Sequence, residues 1–184
     1  MIAILWASPN DGGLTAACVE AAKTGVAQAG RTFEAFKLTD LGLRACQQCG
    51  SGWGPCRNEN ECILLDGFAK AHHAVRRAHG LVVVTPVYWG EMAESAKNVL
   101  DRMRRCETMT KDGSPLYGMP MLAVAAAGGS GNGTLTTLQQ MERFSQHVGL
   151  RLADAIAVKR VSREYQLPAI VDAARALCGM IEPK

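Results

Sequence analysis

The chain lacks any run of the roughly 18 consecutive apolar residues that a bilayer-spanning helix needs, so membrane insertion is not expected. It also lacks a block of like charges. The net charge of +3 is spread along 184 residues, which argues against a nucleic-acid-binding or membrane-surface arm. The small basic clusters at Arg76–Arg77 and Arg102–Arg105 read as solvated helix faces. The opening MIAILWAS has neither a basic flank nor a cleavage site, and it reads as a buried strand rather than a leader. Repeats, low-complexity tracts and linkers are absent, so one domain over 1–184 is expected, with a cysteine-rich insertion loop at about 43–66. There is no Walker lysine and no G-x-G-x-x-G, which sets aside an NTPase P-loop and a Rossmann dinucleotide fingerprint. The seven cysteines are an odd number without an export signal. That points to a reducing cytoplasm, where clustered thiols serve as ligands or redox groups rather than bridges.

What the chain does have is alternation. Apolar runs at 2–7, 32–38, 80–86, 120–128 and 151–158 read as strands, and the third and fourth are almost continuously apolar, as central parallel strands covered on both faces must be. Between them lie helical patterns at about 14–29, 67–78, 91–105, 134–148 and 168–181. In the third, Met92, Ala96, Val99, Leu100 and Met103 form one apolar stripe. Five strands alternating with five helices imply a three-layer α/β sandwich with a five-stranded parallel sheet, order 2-1-3-4-5. Ligands of such sheets bind beyond the carboxyl ends of the strands.

Three loops at that edge carry polar or glycine-rich sequence. After the first strand, ASPNDGGLT offers Ser8, Asn10 and Thr15, with Gly12, Gly13 and Leu14 leading directly into a helix whose free N–H groups suit a phosphate. After the third strand, Pro86, Val87, Tyr88, Trp89 and Gly90 place two aromatic rings side by side, suited to stacking on a flat ligand. After the fourth, Gly128, Gly129, Gly131 and Gly133 alternate with Ser130, Asn132 and Thr134 to make a loop rich in backbone donors. A phosphate cradle, aromatic rings and backbone donors in one crevice suit a mononucleotide with a planar ring, best flavin mononucleotide.

Four further residues, Cys46, Cys49, Cys56 and Cys62, follow the spacing C-x2-C-x6-C-x5-C. Thiolates from one short loop suit a [4Fe–4S] cluster or a tetrahedral zinc, and they also suit free or reversibly oxidised thiols. Cys18 and Cys178 read as buried small hydrophobes, and Cys106 as lying just past a helix end. His72 and His79 read as satisfied histidines on the apolar face of helix 67–78. His73 reads as exposed, and His147 as near a helix end.

The segments ASPNDGGLTAA, TPVYWGEMAESAKNVLDR and AGGSGNGTLTTL resemble the flavodoxin-like NADPH-dependent FMN reductase family over residues 1 to about 150. The cysteine loop resembles that family's iron–sulfur flavoprotein branch. The resemblance implies FMN with its phosphate at Ser8, Asn10 and Gly12 to Thr15, and its ring and ribityl chain near Pro86–Gly90 and Gly128–Gly133. It implies NAD(P)H as electron donor, a flavin, quinone or other small molecule as acceptor, and a homodimer or homotetramer. The flavin itself would carry the redox step, so no catalytic side chain is assigned. Two alternatives come with it: an iron–sulfur flavoprotein exchanging single electrons between a [4Fe–4S] cluster and FMN, and a non-enzymatic flavodoxin-type carrier or zinc-bearing binding protein. The chain departs from the family where Asn10 replaces an arginine, where Leu14 replaces a polar residue, and where Gly52 stands in the third cysteine's place. The first two changes shift phosphate binding toward backbone amides and Thr15.

Overall fold

The computed structural model describes residues 1–108 and 113–181. Its strands are β1 (Ile2–Trp6), β2 (Phe33–Lys37), β3 (Gly80–Tyr88), β4 (Glu91–Met92), β5 (Pro120–Ala127) and β6 (Arg151–Lys159). Its helices are α1 (Leu14–Gln28), the four-residue turn α2 (Cys49–Gly52), α3 (Phe68–Arg77), α4 (Glu94–Glu107), α5 (Thr134–Val148) and α6 (Arg163–Gly179). The five long strands are all parallel, in the order β2-β1-β3-β5-β6, which is the expected 2-1-3-4-5. The sheet nevertheless has six strands rather than five. The short β4 turns back antiparallel on the end of β3, pairing Tyr88 with Glu91 and Val87 with Met92.

The apolar runs are continuous because both faces are covered. In β1, Ala3 and Leu5 face one core while Ile2 and Ile4 face the other. In β3, Leu81 and Val83 oppose Val82 and Val84, and in β5, Met121 and Ala123 oppose Leu122 and Val124. The first core is closed by α3, α4 and α5, the second by α1 and α6. Helices α1 and α6 approach closely at Gly25, where a Cβ would collide with the Val171 carbonyl.

Three expectations need correction. Helix α4 begins at Glu94 rather than 91, because residues 91 and 92 are used by β4. Helix α6 begins at Arg163, five residues before 168, and carries Pro168 inside it. Its first buried residue is Ile170, so the earlier turns show no apolar stripe. Arg102 does not lie on a solvated face: its side chain is 1% exposed.

The outer face of the first core is fastened by a buried carboxylate. Glu107, fully buried at the end of α4, accepts from His72 Nε2 (2.5 Å), Arg76 Nη1 (2.6 Å) and the Ser114 hydroxyl. His72 is thus a satisfied core histidine, stacked on Phe68. His73 is exposed as expected, whereas His79 lies beyond the end of α3, with Nδ1 3.3 Å from the amine of Met1. Burial alone would push the Glu107 carboxyl up. The bonds from His72, Ser114 and Arg76 outweigh it and hold the group below the ordinary glutamate value of 4.5.

A depressed folded-state value means that this stability is complete above about pH 4.5 and is lost as pH falls through the lower folded value. Urea denaturation across that acid range should show the loss. Glu107→Gln should unfold about 2–4 kcal/mol more easily at neutral pH and show a shallower acid limb. An unaltered limb in the variant would assign the acid sensitivity elsewhere.

Candidate functional site

Because β1, β3 and β5 are adjacent and parallel, their carboxyl ends share one edge. Trp6 pairs with Val84, Pro86 pairs with Ala126, and the Ala7 N–H donates to the Val84 carbonyl at 3.0 Å. All three loops singled out in the sequence start from this edge. The first, residues 7–13, is tied by its own side chains. The Asn10 N–H donates to Ser8 Oγ (3.2 Å), and Asn10 Oδ1 accepts from the Gly12 N–H (2.9 Å). Asn10 Oδ1 therefore holds a loop donor, and the N–H groups of its Nδ2 are the ones it can offer. A Cβ on Gly13 would meet the Asn10 amide at 2.9 Å, so a side chain there would displace the Asn10 side chain from its place in the loop. Gly13 caps α1 through its backbone only, the first turn carries no acidic residue, and Ser8 and Thr15 are buried beside it. This helix end carries the positive pole of the helix with no side chain capping it.

The second loop is a two-residue hairpin. Trp89 and Gly90, between β3 and β4, have φ of +52° and +82°, the sign pattern of a type I′ turn, which matches strand twist. The turn throws the indole of Trp89 fully into solvent and leaves Tyr88 43% exposed, while Pro86 stays buried within β3. The hairpin is clamped to α5. The Met92 N–H donates to Gln140 Oε1 (3.1 Å), and the Thr136 hydroxyl donates to the Gly90 carbonyl. Behind it, the Ala93 N–H donates to the buried Thr85 hydroxyl (3.0 Å).

The third loop meets the second directly. Gly133, with φ +78°, lies so near Gly90 that a Cβ would collide with the Gly90 Cα. A crevice of about 420 Å³ opens between Val87, Trp89 and Gly90 on one side and Ala127 and residues 129–132 on the other. That size lies within the range of small-molecule sites. The exposed Gly128 sits at the rim, and Leu14 begins α1 beside the first loop.

The cysteine loop occupies a different place, against the flank of α4. Cys46, Cys49, Cys56 and Cys62 line one small cavity of about 20 Å³ together with Cys106, Arg102 and Arg105. Cys106 was read as lying past a helix end, but it is inside α4 and fully buried. Burial, with the Cys56 and Cys62 thiols beside it, pushes its own thiol far up. Cys18, also buried, is raised to about 12, and the buried Cys178 is raised too, in keeping with inert thiols. Arg105 stacks on Trp53 (4.3 Å) and donates to the Gly52 carbonyl, while Arg102 Nη2 lies 3.3 Å from Cys62 Sγ. Among the described residues, no three cysteine, histidine or carboxylate groups are gathered tightly enough to close round a single metal ion.

Sequence reasoning missed Lys37, Arg102, Arg105 and Cys106 as site residues. Lys37, at the end of β2, pairs with Asp11 (2.6 Å) beside the first loop and lies over the Trp6 ring (5.4 Å). Cys106 had a readable signal, since it continues the stripe of Val99 and Met103 on α4. The arginines had none, because their partners lie more than 35 residues away.

The profile of NADPH-dependent FMN reductases matches residues 1–160. An iron–sulfur flavoprotein of Methanocaldococcus jannaschii is 28% identical over 74% of this chain and 67% of its own length. An iron–sulfur flavoprotein of Archaeoglobus fulgidus is 29% identical over 62% of this chain, and the match spans only 56% of that relative. Among solved structures, an NAD(P)H:quinone oxidoreductase from Methanothermobacter marburgensis superposes with a TM-score of 0.71 at 18% identity, covering 96% of this chain and 94% of that one. Flavodoxin-like proteins from an archaeon and from Agrobacterium tumefaciens share the fold with TM-scores of 0.66 and 0.62. No helix among the described residues is long and apolar enough to cross a membrane.

The contact of Gly133 with Gly90 is what joins the second and third loops. Gly133→Ala should cost about 1–3 kcal/mol in urea denaturation, from collision and a left-handed backbone together. A variant as stable as the parent would show that the two loops do not meet.

Proposed function

The chain belongs to the NADPH-dependent FMN reductase family, a family of oxidoreductases, and on that premise we propose that it takes reducing equivalents from NAD(P)H through FMN and passes them to a flavin, quinone or other small acceptor. The observation that carries this reading is the crevice between the Trp89–Gly90 hairpin and the 129–132 loop, which shares its sheet edge with the N-terminus of α1, where no side chain caps the helix.

Bound FMN supplies the hydride and electron chemistry. The chain's part is to hold and orient it. The backbone amides of residues 12–15, with the hydroxyls of Ser8 and Thr15, would take the phosphate in the field of α1. Asn10 Oδ1 would yield the Gly12 N–H to the anion, which is a stronger acceptor than an amide oxygen. The ring would lie along residues 86–90 and 128–133, where the glycines let backbone N–H groups come close and the Trp89 indole offers a flat face. A flat exposed ring at the mouth also leaves one side of the crevice open to a planar donor or acceptor. The expected homodimer or homotetramer would cover that opening and the bare indole.

The thiol cavity favours a second reading, an iron–sulfur flavoprotein in which single electrons pass between the two sites. Its donor set fits a [4Fe–4S] group in kind: soft sulfur, two guanidinium groups, and no carboxylate in the wall. A mononuclear zinc needs all its sulfurs about 2.3 Å from one point, whereas cluster ligands each hold a different iron. The cavity must widen for such a group. No atom crowds Gly50 or Gly52 from the side a Cβ would take, so widening there meets no packed neighbour and has only the Arg105 bond to Gly52 to break.

Three measurements test these readings. Thr15→Val combined with Ser8→Ala should weaken FMN binding about tenfold or more in a fluorescence titration, because a buried anion loses two donors. Undiminished affinity would place the phosphate elsewhere. Oxygen-protected protein should contain iron and acid-labile sulfide that Cys49→Ser removes while flavin content stays unchanged. Steady NAD(P)H oxidation by purified protein separates a reductase from a flavodoxin-type carrier.

A further inference from the structure

Arg102 is a buried cation at the wall of the thiol cavity, and both of its Nη atoms are committed. Nη1 donates to Asp66 Oδ2 (2.8 Å) and to the Arg44 carbonyl (3.2 Å). Nη2 donates to Asp66 Oδ1 (2.9 Å) and points at Cys62 Sγ (3.3 Å). The guanidinium carbon lies over the Phe68 ring, 4.2 Å from its centre, while Nε is buried without a partner. Asp66 is held in turn by the N–H groups of Arg44 (2.9 Å) and Phe68 (3.1 Å). Burial would raise its carboxyl, but these donors keep it below the ordinary 3.8, so the pair is ionised.

A buried ion pair does little for stability compared with apolar residues of the same volume. Closing the loop on α4 explains the bonds to Asp66 and Arg44, but it does not require the contact with sulfur. That contact turns a rigid, doubly anchored cation toward one of the four loop thiols, in a wall that already holds Arg105. We propose that Arg102 is a positioning residue that fixes the Cys62 sulfur and turns the positive end of its pair with Asp66 toward an anionic [4Fe–4S] group held by the cysteine loop. This rests on the iron–sulfur reading above. Asp66 locks the arginine, the arginine orients the sulfur, and its charge with the N–H···S bond favours the more negative, reduced state of the group.

The test compares anaerobically purified parent protein with Arg102→Gln, Arg102→Lys and the neutral pair Asp66→Asn with Arg102→Gln, which preserves a hydrogen-bonded contact without buried charge. Iron, sulfide, flavin, the unfolding midpoint and the potential of each redox group are measured. The proposal expects iron to stay bound in the neutral pair. At the parent's cluster midpoint, the reduced-to-oxidised ratio should fall about tenfold, or about 59 mV for one electron. The flavin potential should stay in place, and Arg102→Lys should recover part of the shift. Loss of iron with flavin and unfolding midpoint unchanged also supports it. Loaded variants with the parent's cluster potential overturn it and leave the iron–sulfur reading standing. So does iron loss accompanied by flavin loss and a lowered midpoint, which is a structural effect. Parent protein without iron and sulfide overturns both.

Discussion

The parallel hydrogen bonding of β1, β3 and β5 is the constraint on which the rest depends. Three strands running the same way, each neighbour in register with the next, must release their chains at one edge. The residues released there have little in common except chemistry suited to one ligand: buried hydroxyls and a bare helix end, an aromatic hairpin, and a string of glycines. Helices on both faces make this possible, because a parallel sheet with both faces covered keeps its strands continuously apolar and leaves polar function to the ends.

Helix α4 connects that edge to the cysteine loop. It starts two residues after the β3–β4 hairpin and carries Asn98, Arg102, Arg105 and Cys106 along its length. Asn98 and Arg102 hold the Arg44 carbonyl, Arg105 holds Gly52 and Trp53, and Cys106 closes the cavity wall. From Glu94 to Arg102 is eight residues, about 12 Å along the axis. A single rigid element therefore sets the spacing between the crevice rim and the thiols.

The fold was legible because its evidence is periodic and local. The apolar runs of β3 and β5 and the stripe of α4 announce their own environment. The loops were legible as loops because glycine and proline punctuate them. What escaped was whatever depends on partners distant in sequence. Arg102 looks like a surface charge until Asp66 and Cys62 are folded against it. Lys37 shows its relation to the first loop only once β2 lies beside β1. The Trp89–Gly90 turn was hidden because it uses tryptophan where hairpins of this type favour asparagine or aspartate, and so β4 went unseen. Asn10 gave no hint in the sequence that its oxygen accepts from the Gly12 N–H within the loop.

The central claim is that one sheet edge grips FMN by both its anionic tail and its flat ring. Parallel equilibrium titrations with FMN and with riboflavin, which has the same ring and no phosphate, address it most directly. Several donors converging on a buried charge should make FMN at least about a hundredfold the tighter ligand. Equal affinities, or no binding of either, would contradict the account.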